Sequence, residues 1–369
     1  MRSAWAWSRW RHRWTFWMAC LLVAAGAVGC GGAAVPRASS PANQPAETGH
    51  WSRVPETGTL NVTALAEGSH GTLSVGTGNQ QGVLAYSRGK WSALGAELLP
   101  TGRTIRSITP VGTSAVLAAT SQGVLEYGPS GWQELSGPTP PGPPGALAYG
   151  DIPAYSVTAV MLPHGHVTAG GYPPGNVSVN SASDGFGDVW QYLQGTWVPL
   201  GRLGHTPTSM LYTPARVLVV GTHQGVWTYT HAAGWHTLGS FPTPGVVVTA
   251  LALSAGGRVL AGVQEFADTV ARLYEYVDGH WVNRSSGWTQ LPETPVVQAL
   301  AVSHATGVIW VGTASEGVWM LNGSRWSRAG PAPSAIKNAT IQAMDVTHAR
   351  EVYVGTPNGL WRLIGAGSP

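Results

Sequence analysis

The stretch LSVGTGNQQGVLAYSRGKW, from Leu73 to Trp91, decides the fold. Leu73 to Thr77 alternates in the way a half-buried strand does and ends in Val-Gly-Thr. A Gly-bearing turn follows, then a second strand from Gly82 to Tyr86, a tight turn and Trp91. The unit recurs along the chain. VLAAT ends at Thr120, with GVLEY to Tyr127 and then Trp132; HVTAGG ends at Gly171, with DVWQY to Tyr192 and then Trp197. VLVVGT ends at Thr222, with GVWTY to Tyr229 and Trp235; VLAGV ends at Val263, with RLYEY to Tyr276 and Trp281. IWVGT ends at Thr313, with GVWML to Leu321 and Trp326, and VYVGT ends at Thr356, with GLWRL to Leu363 and no Trp after it.

The missing outer strand stands at the other end of the repeats, as His50-Trp51-Ser52-Arg53-Val54. Each unit also carries an earlier strand, such as Val62 to Leu65, Val248 to Leu251 and Ile341 to Met344. Four strands per unit at Trp-to-Trp spacings of 40, 41, 65, 38, 46 and 45 residues match a β-propeller blade. The expectation is an all-β, seven-bladed β-propeller of four-stranded antiparallel blades over residues 50–369, its last blade closed by the N-terminal strand. A single blade leaves apolar faces uncovered; stacking blades around an axis buries them, and closing the ring removes terminal faces. Asn322-Gly323 and Asp278-Gly279 read as two-residue type I′ turns between third and outer strands. In the fifth unit either Trp281 or Trp288 can head the outer strand.

Composition agrees. The 369 residues hold 50 Gly and 27 Pro, which argue against a helical bundle, while 43% apolar content with 18 Trp suffices for a core. Residues 1–50 carry five Arg against one Glu, whereas the remainder holds 15 Lys and Arg against 16 Asp and Glu. The basicity therefore belongs to the front of the chain, and the body has no electrostatic footprint for nucleic acid.

That front reads as an export signal: Arg2, Arg9, Arg11 and Arg13, then an uncharged run from Trp14 to Val35. Ala27-Val28-Gly29-Cys30 looks like a bacterial lipobox, with Ala27 where Leu is usual. The reading is a lipoprotein signal peptide over 1–29, a lipidated Cys30 and a Gly/Ala/Pro tether over 30–49. An uncleaved anchor and ordinary secretion are the alternatives. Stable anchoring needs more than one acyl chain, which lipoprotein modification supplies. After cleavage the body would hold no Cys, hence no disulfide.

The VGT-xx-GVW/Y pattern resembles the propeller repeats of two-component-regulator sensors and the WD40/YVTN/BNR-like exported propellers. The resemblance covers residues 50–364 and implies the fold, not an activity. Ser87 to Trp91 and Asp278 to Trp281 are at best remnants of an Asp-box, and no kinase or regulator domain is expected.

Candidate sites follow from loops and from alignment. Ser136 to Pro153, joining the second and third units, and Tyr172 to Asp188, within the third, read as long loops on one face. They and the start of the next strand supply Tyr149, Asp151, Tyr155, Tyr172, Asn176, Asp184 and Asp188 as a binding patch. Alignment of the first strands brings Thr63, Arg106, Thr158, Ser209, Thr249, Gln298 and Gln342 together, as an axial channel lining or as hydrogen bonds between blades. His164-Gly165-His166 lacks a third ligand, and Glu265, Asp268 and Arg272 read as a solvated extension. No cofactor and no metal are expected.

The functional expectation is an extracytoplasmic, lipid-anchored, monomeric, non-catalytic module that binds a protein or a cell-envelope glycan. The rival is a glycoside hydrolase or lyase on the same fold, which needs two carboxylates facing each other across a cleft. A third reading is an assembly factor similar to exported photosystem-assembly propellers.

Overall fold

The computed structural model describes residues 49–365 apart from 69, 79–81, 96–102, 112–114, 121–122, 136–153, 162–176, 184–187, 194–195, 266–270, 287 and 289–295. At 154–161, 177–183, 188, 193, 196–198 and 202 it describes backbone only. The described strands form seven four-stranded antiparallel sheets, and the fold is a β-propeller. Its inner strands are Val62–Glu67, Ile105–Val111, Ala154–Met161, Pro207–Tyr212, Val246–Leu253, Val297–Val302 and Ala343–Val346. They neighbour one another in that order, and the last lies beside the first. The sheets are numbered one to seven accordingly.

The seventh sheet is assembled from both ends of the repeats. His50–Arg53 pairs antiparallel with Gly359–Ile364, with Trp51 opposite Leu363 and Arg53 opposite Trp361. The apolar core is divided among the spaces between consecutive sheets. One cluster joins Val62, Leu73 and Val75 of sheet one to Tyr353 and Leu360 of sheet seven. Another joins Ala64 and Val83 to Ile105, Ile108 and Val116.

The Val-Gly-Thr triplet has a steric and a polar cause. A Cβ on Gly76 would lie 2.5 Å from Ile105 Cγ2 of the next sheet; on Gly221, 2.6 Å from Val248; on Gly262, 2.4 Å from Val297. Gly312 meets Ile341 and Gly355 meets Val62 at 2.5 Å each, so the last of these contacts joins sheet seven to sheet one. Only glycine lets a branched neighbour approach so closely. Sheets two and three carry Ala119 and Ala182 at this register position, and the next inner strands present Ala154 and Pro207 there. The Thr hydroxyls of Thr77, Thr120, Thr222, Thr313 and Thr356 donate to the carbonyls of Gly82, Gly123, Gly225, Gly317 and Gly359 at 2.7–3.0 Å. They thereby pin the turn that follows each of these second strands, adding in sheets one and six to the Thr N–H bond on the same carbonyl.

Three sequence expectations shift. In sheet three the second strand is Val177–Ser183, not the HVTAGG stretch ending at Gly171. Tyr192 fixes the register: it pairs with Val179 as Tyr86 pairs with Leu73, so Ser181-Ala182-Ser183 stands where other sheets have Val-Gly-Thr. The stretch from Tyr172 to Asp188 is consequently not one loop. In sheet five Trp281 heads the outer strand, opposite Tyr276, while Trp288 stacks on Trp326 of sheet six at 4.5 Å and 3°. Asn322 pairs with Arg325, which makes Gly323-Ser324 the two-residue loop there; Asp278-Gly279 is a loop as expected, with both φ positive at 48° and 89°.

Candidate binding site

Most of the predicted patch falls outside the described residues. Tyr149, Asp151, Tyr172, Asn176 and Asp184 lie outside the described residues; Tyr155 and Asp188 are described in backbone only. Tyr149 and Asp151 belong to the connection from the outer strand of sheet two into Ala154–Met161, Asp184 to that from the second strand into the third, and Asp188 opens the third strand, Asp188–Leu193. Tyr172 and Asn176 belong to the connection from first strand to second. Antiparallel strands put this last connection at the opposite end from the other two. The stretch from Tyr172 to Asp188 therefore starts and finishes at opposite ends of the sheet.

The aligned ring has a backbone cause. In six sheets the register shifts by one residue near the start of the inner strand, a β-bulge that re-aims one side chain. The bulged residues are Thr63, Arg106, Tyr155, Thr208, Thr249 and Gln298. Gln342 holds the same place in sheet seven, where its N–H donates to Gly355 while Ala343 pairs with Gly355. Register thus replaces Ser209 by Thr208 and Thr158 by Tyr155; alignment by polar residue type missed an aromatic at the equivalent position.

Several ring groups bond backbone. Thr63 Oγ1 donates to Ile105 O of the next sheet at 2.6 Å, Thr208 to Gly221 O at 3.1 Å and Thr249 to Gly262 O at 3.0 Å. Gln298 is exposed, and the buried Gln342 Oε1 has no hydrogen-bond partner.

Glu265 is structural. It is 1% exposed, accepts from Tyr274 Oη at 2.8 Å and pairs with Arg272 Nε at 2.9 Å. Burial and the bond to Glu265 push the Tyr274 hydroxyl up to about 12. Asp268, Cys30, His164 and His166 lie outside the described residues. Among the described residues no cluster of three or more His, Cys, Asp or Glu could hold a metal, and no helix is long and apolar enough to cross a membrane.

The seam between sheets seven and one holds two features that sequence reading missed. The first is a carboxylate contact. Asp345 accepts from the Glu67 and Val346 N–H groups at 2.6 and 2.8 Å, and Glu67 accepts from the His348 N–H at 2.6 Å. Burial pushes the Asp345 carboxyl up to about 6, against the pull of those two backbone donors.

The second is a cleft beside a broken ladder of tryptophans. Five described outer-strand Trp side chains reach back to the preceding sheet, to the carbonyl three residues after that sheet's own Trp. Trp132 Nε1 donates to Leu94 O, Trp235 to Leu200 O, Trp281 to Leu238 O, Trp326 to Arg284 O and Trp51 to Ala329 O, at 2.6–2.9 Å. The acceptor for Trp91 would be Val54 O. That carbonyl instead receives the Thr57 N–H at 3.2 Å and hydroxyl at 2.8 Å, because Pro55 starts a 3-10 turn, Pro55–Thr57. The Trp91 N–H is left neither bonded nor buried. The cleft has a volume of about 250 Å³ and is lined by Arg53, Glu56, Tyr86, Trp91, Tyr353 and Arg362, among others. The sequence signal available was Pro55, which marks a turn where the other units continue.

No family model and no curated protein matches the chain. Many solved structures share its fold. The extracellular domain of BT4673, a two-component system of B. thetaiotaomicron, is 13% identical with a TM-score of 0.58 over 85% of this chain and 39% of that one. The chain thus spans about two fifths of that domain's length. Virginiamycin B lyase from Staphylococcus aureus is 12% identical with a TM-score of 0.64 over 86% and 98% of the two chains. YCF48 from Cyanidioschyzon merolae is 12% identical with a TM-score of 0.56 over 85% and 98%. These neighbours are propeller proteins, and at such identities the likeness is one of fold.

Proposed function

We propose that this chain is a non-catalytic binding module: a single ring of seven blades, one per sheet, held outside the cytoplasm by a lipidated Cys30 after removal of residues 1–29. The partner is a protein or a cell-envelope glycan, met at the propeller end where the inner strands begin. The observation that carries this reading is the connection between sheets two and three. Nineteen residues separate Glu134 from Ala154, against four between Arg202 and Pro207 and eight between Arg53 and Val62. Long connections on a rigid scaffold are where binding residues gather. This one leads into Tyr155, whose bulge position lies beside Ser183, at the sheet end where the third strand starts with Asp188. The extracellular neighbour supports the address. The neighbouring lyase keeps an enzymatic reading as the alternative.

The test replaces residues 137–152 with a short Gly-Ser linker and compares capture of envelope extract by parent and variant. Loss of the retained component with an unchanged melting temperature supports the reading; undiminished capture overturns it. Deleting Tyr172 to Asp188 is unsuitable, because it removes the strand Val177–Ser183. Mass spectrometry of the mature N-terminus tests the anchor: an unmodified Cys30 refutes it.

A further inference from the structure

We propose that the cleft between sheets seven and one is a second binding site, built for one uncharged sugar ring and separate from the end face. Three observations carry it.

One wall is aromatic. Tyr86 and Trp91 lie 4.9 Å apart at a 36° tilt; both are half-buried, packed against the apolar cluster behind them, and both line the cleft. Aromatic faces pair with the C–H face of a pyranose through dispersion and apolar burial.

The polar groups balance. Arg53 and Arg362 are cations of the lining and Glu56 its carboxylate, while Glu351, outside the lining, is bonded to its Tyr353 and Arg362. Glu351 accepts from Tyr353 Oη at 2.8 Å and lies 3.5 Å from Arg362. Arg53 also anchors the wall by donating to Asn358 O at 2.7 Å. Two cations against two carboxylates give no net field to draw an ion. They do offer donors and acceptors side by side, which is what a ring of hydroxyls, each donor and acceptor at once, requires.

The third observation is the Trp91 N–H. Every other outer-strand Trp described with its side chain gives this proton to a backbone carbonyl. At the seam the Pro55–Thr57 turn has taken that carbonyl, leaving a donor on the cleft wall for a ligand oxygen. A volume of about 250 Å³ lies just under the range typical of drug-sized ligands and suits a single ring.

The experiment titrates the full mature chain, labelled with ¹⁵N-tryptophan, with glucose, N-acetylglucosamine and glucuronic acid. The Trp91 indole N–H signal is assigned by its loss in Trp91→Phe. The proposal expects a saturable shift of that signal with a neutral sugar and binding about tenfold weaker in Trp91→Ala. Gly89 lines the cleft in a turn with φ +78°, and a Cβ there meets nothing within 4 Å. Asn is among the L residues that best tolerate a positive φ, so Gly89→Asn is expected to fold while crowding the opening and abolishing the shift, which keeps the test valid if Trp91→Ala misfolds. No saturable shift with either neutral sugar, a response to glucuronic acid alone, or an undiminished response in Gly89→Asn would overturn the proposal. None of these results bears on the end face, which the linker variant tests separately.

Discussion

Trp51 sits opposite Leu363 and gives its indole N–H to the carbonyl of Ala329 at 2.7 Å. One side chain from the front of the repeats thus completes the seventh sheet and ties it to the sixth. Trp51 is 7% exposed and packs in a cluster with Val318, Met320 and Leu363. Trp51→Ala is expected to cost about 3–5 kcal/mol, from lost burial and a cavity. Trp51→Phe, which keeps most of the packing, is expected to cost about 1–2 kcal/mol for the orphaned carbonyl and reduced contact. Urea unfolding monitored by fluorescence measures both.

The glycine of the triplet is held by its neighbour's size. Gly262→Ala places a methyl 2.4 Å from Val297 Cγ1 and is expected to destabilise by about 1–3 kcal/mol. Adding Val297→Ala should return part of that loss, copying the Ala119 and Ala154 pairing at the junction of sheets two and three. A double-mutant cycle in denaturant should give a favourable coupling of about 1 kcal/mol or more. Simple additivity would refute the size-matching account.

Asp345 makes stability depend on pH. Folded, its carboxyl holds a proton to about pH 6; the ordinary value is 3.8. Between these values the folded state binds more protons than the unfolded, so its contribution is full below about pH 3.8 and is lost as pH rises to about 6. The full difference is about 3 kcal/mol. Glu67 and His348 face the same carboxyl and shape the titration in opposite senses. Melting temperatures of parent and Asp345→Asn across pH 4 to 7 should differ in slope, the variant being flatter.

Glu265 holds a partly exposed cation and a buried phenol together. Glu265→Gln is expected to cost about 3 kcal/mol, the low end for breaking a buried pair, because Arg272 is partly exposed. It should also bring the Tyr274 hydroxyl down from about 12, since the carboxylate is one cause of the rise. Ultraviolet titration of tyrosinate reads this directly.

The repeat was legible because each part of the motif answers a local physical demand. Gly76, Gly221, Gly262, Gly312 and Gly355 answer a close approach, the Thr that follows all of these but Gly262 bonds a carbonyl across the turn, and Trp answers the preceding sheet. The third sheet misled because Ser181-Ala182-Ser183 takes the triplet's register with other residues, while HVTAGG carries the familiar letters outside the described residues. The ring was offset at Ser209 and Thr158 because a bulge is a property of pairing, and residue type does not report it. The seam cleft was invisible because it comes from residues 52–56, 86–91, 353 and 362, which only closure brings together.

Closure is tested most directly by a cross-link. Ser52 and Arg362 are register partners, about 5 Å apart at Cα as antiparallel pairs are, within reach of a disulfide. In a chain with Cys20 and Cys30 replaced by Ser, Ser52→Cys with Arg362→Cys should oxidise to one intramolecular disulfide, mapped by non-reducing peptide mass spectrometry, and raise the melting temperature. Two free thiols after oxidation of the folded protein, or only intermolecular links, would contradict a ring sealed by its own first strand.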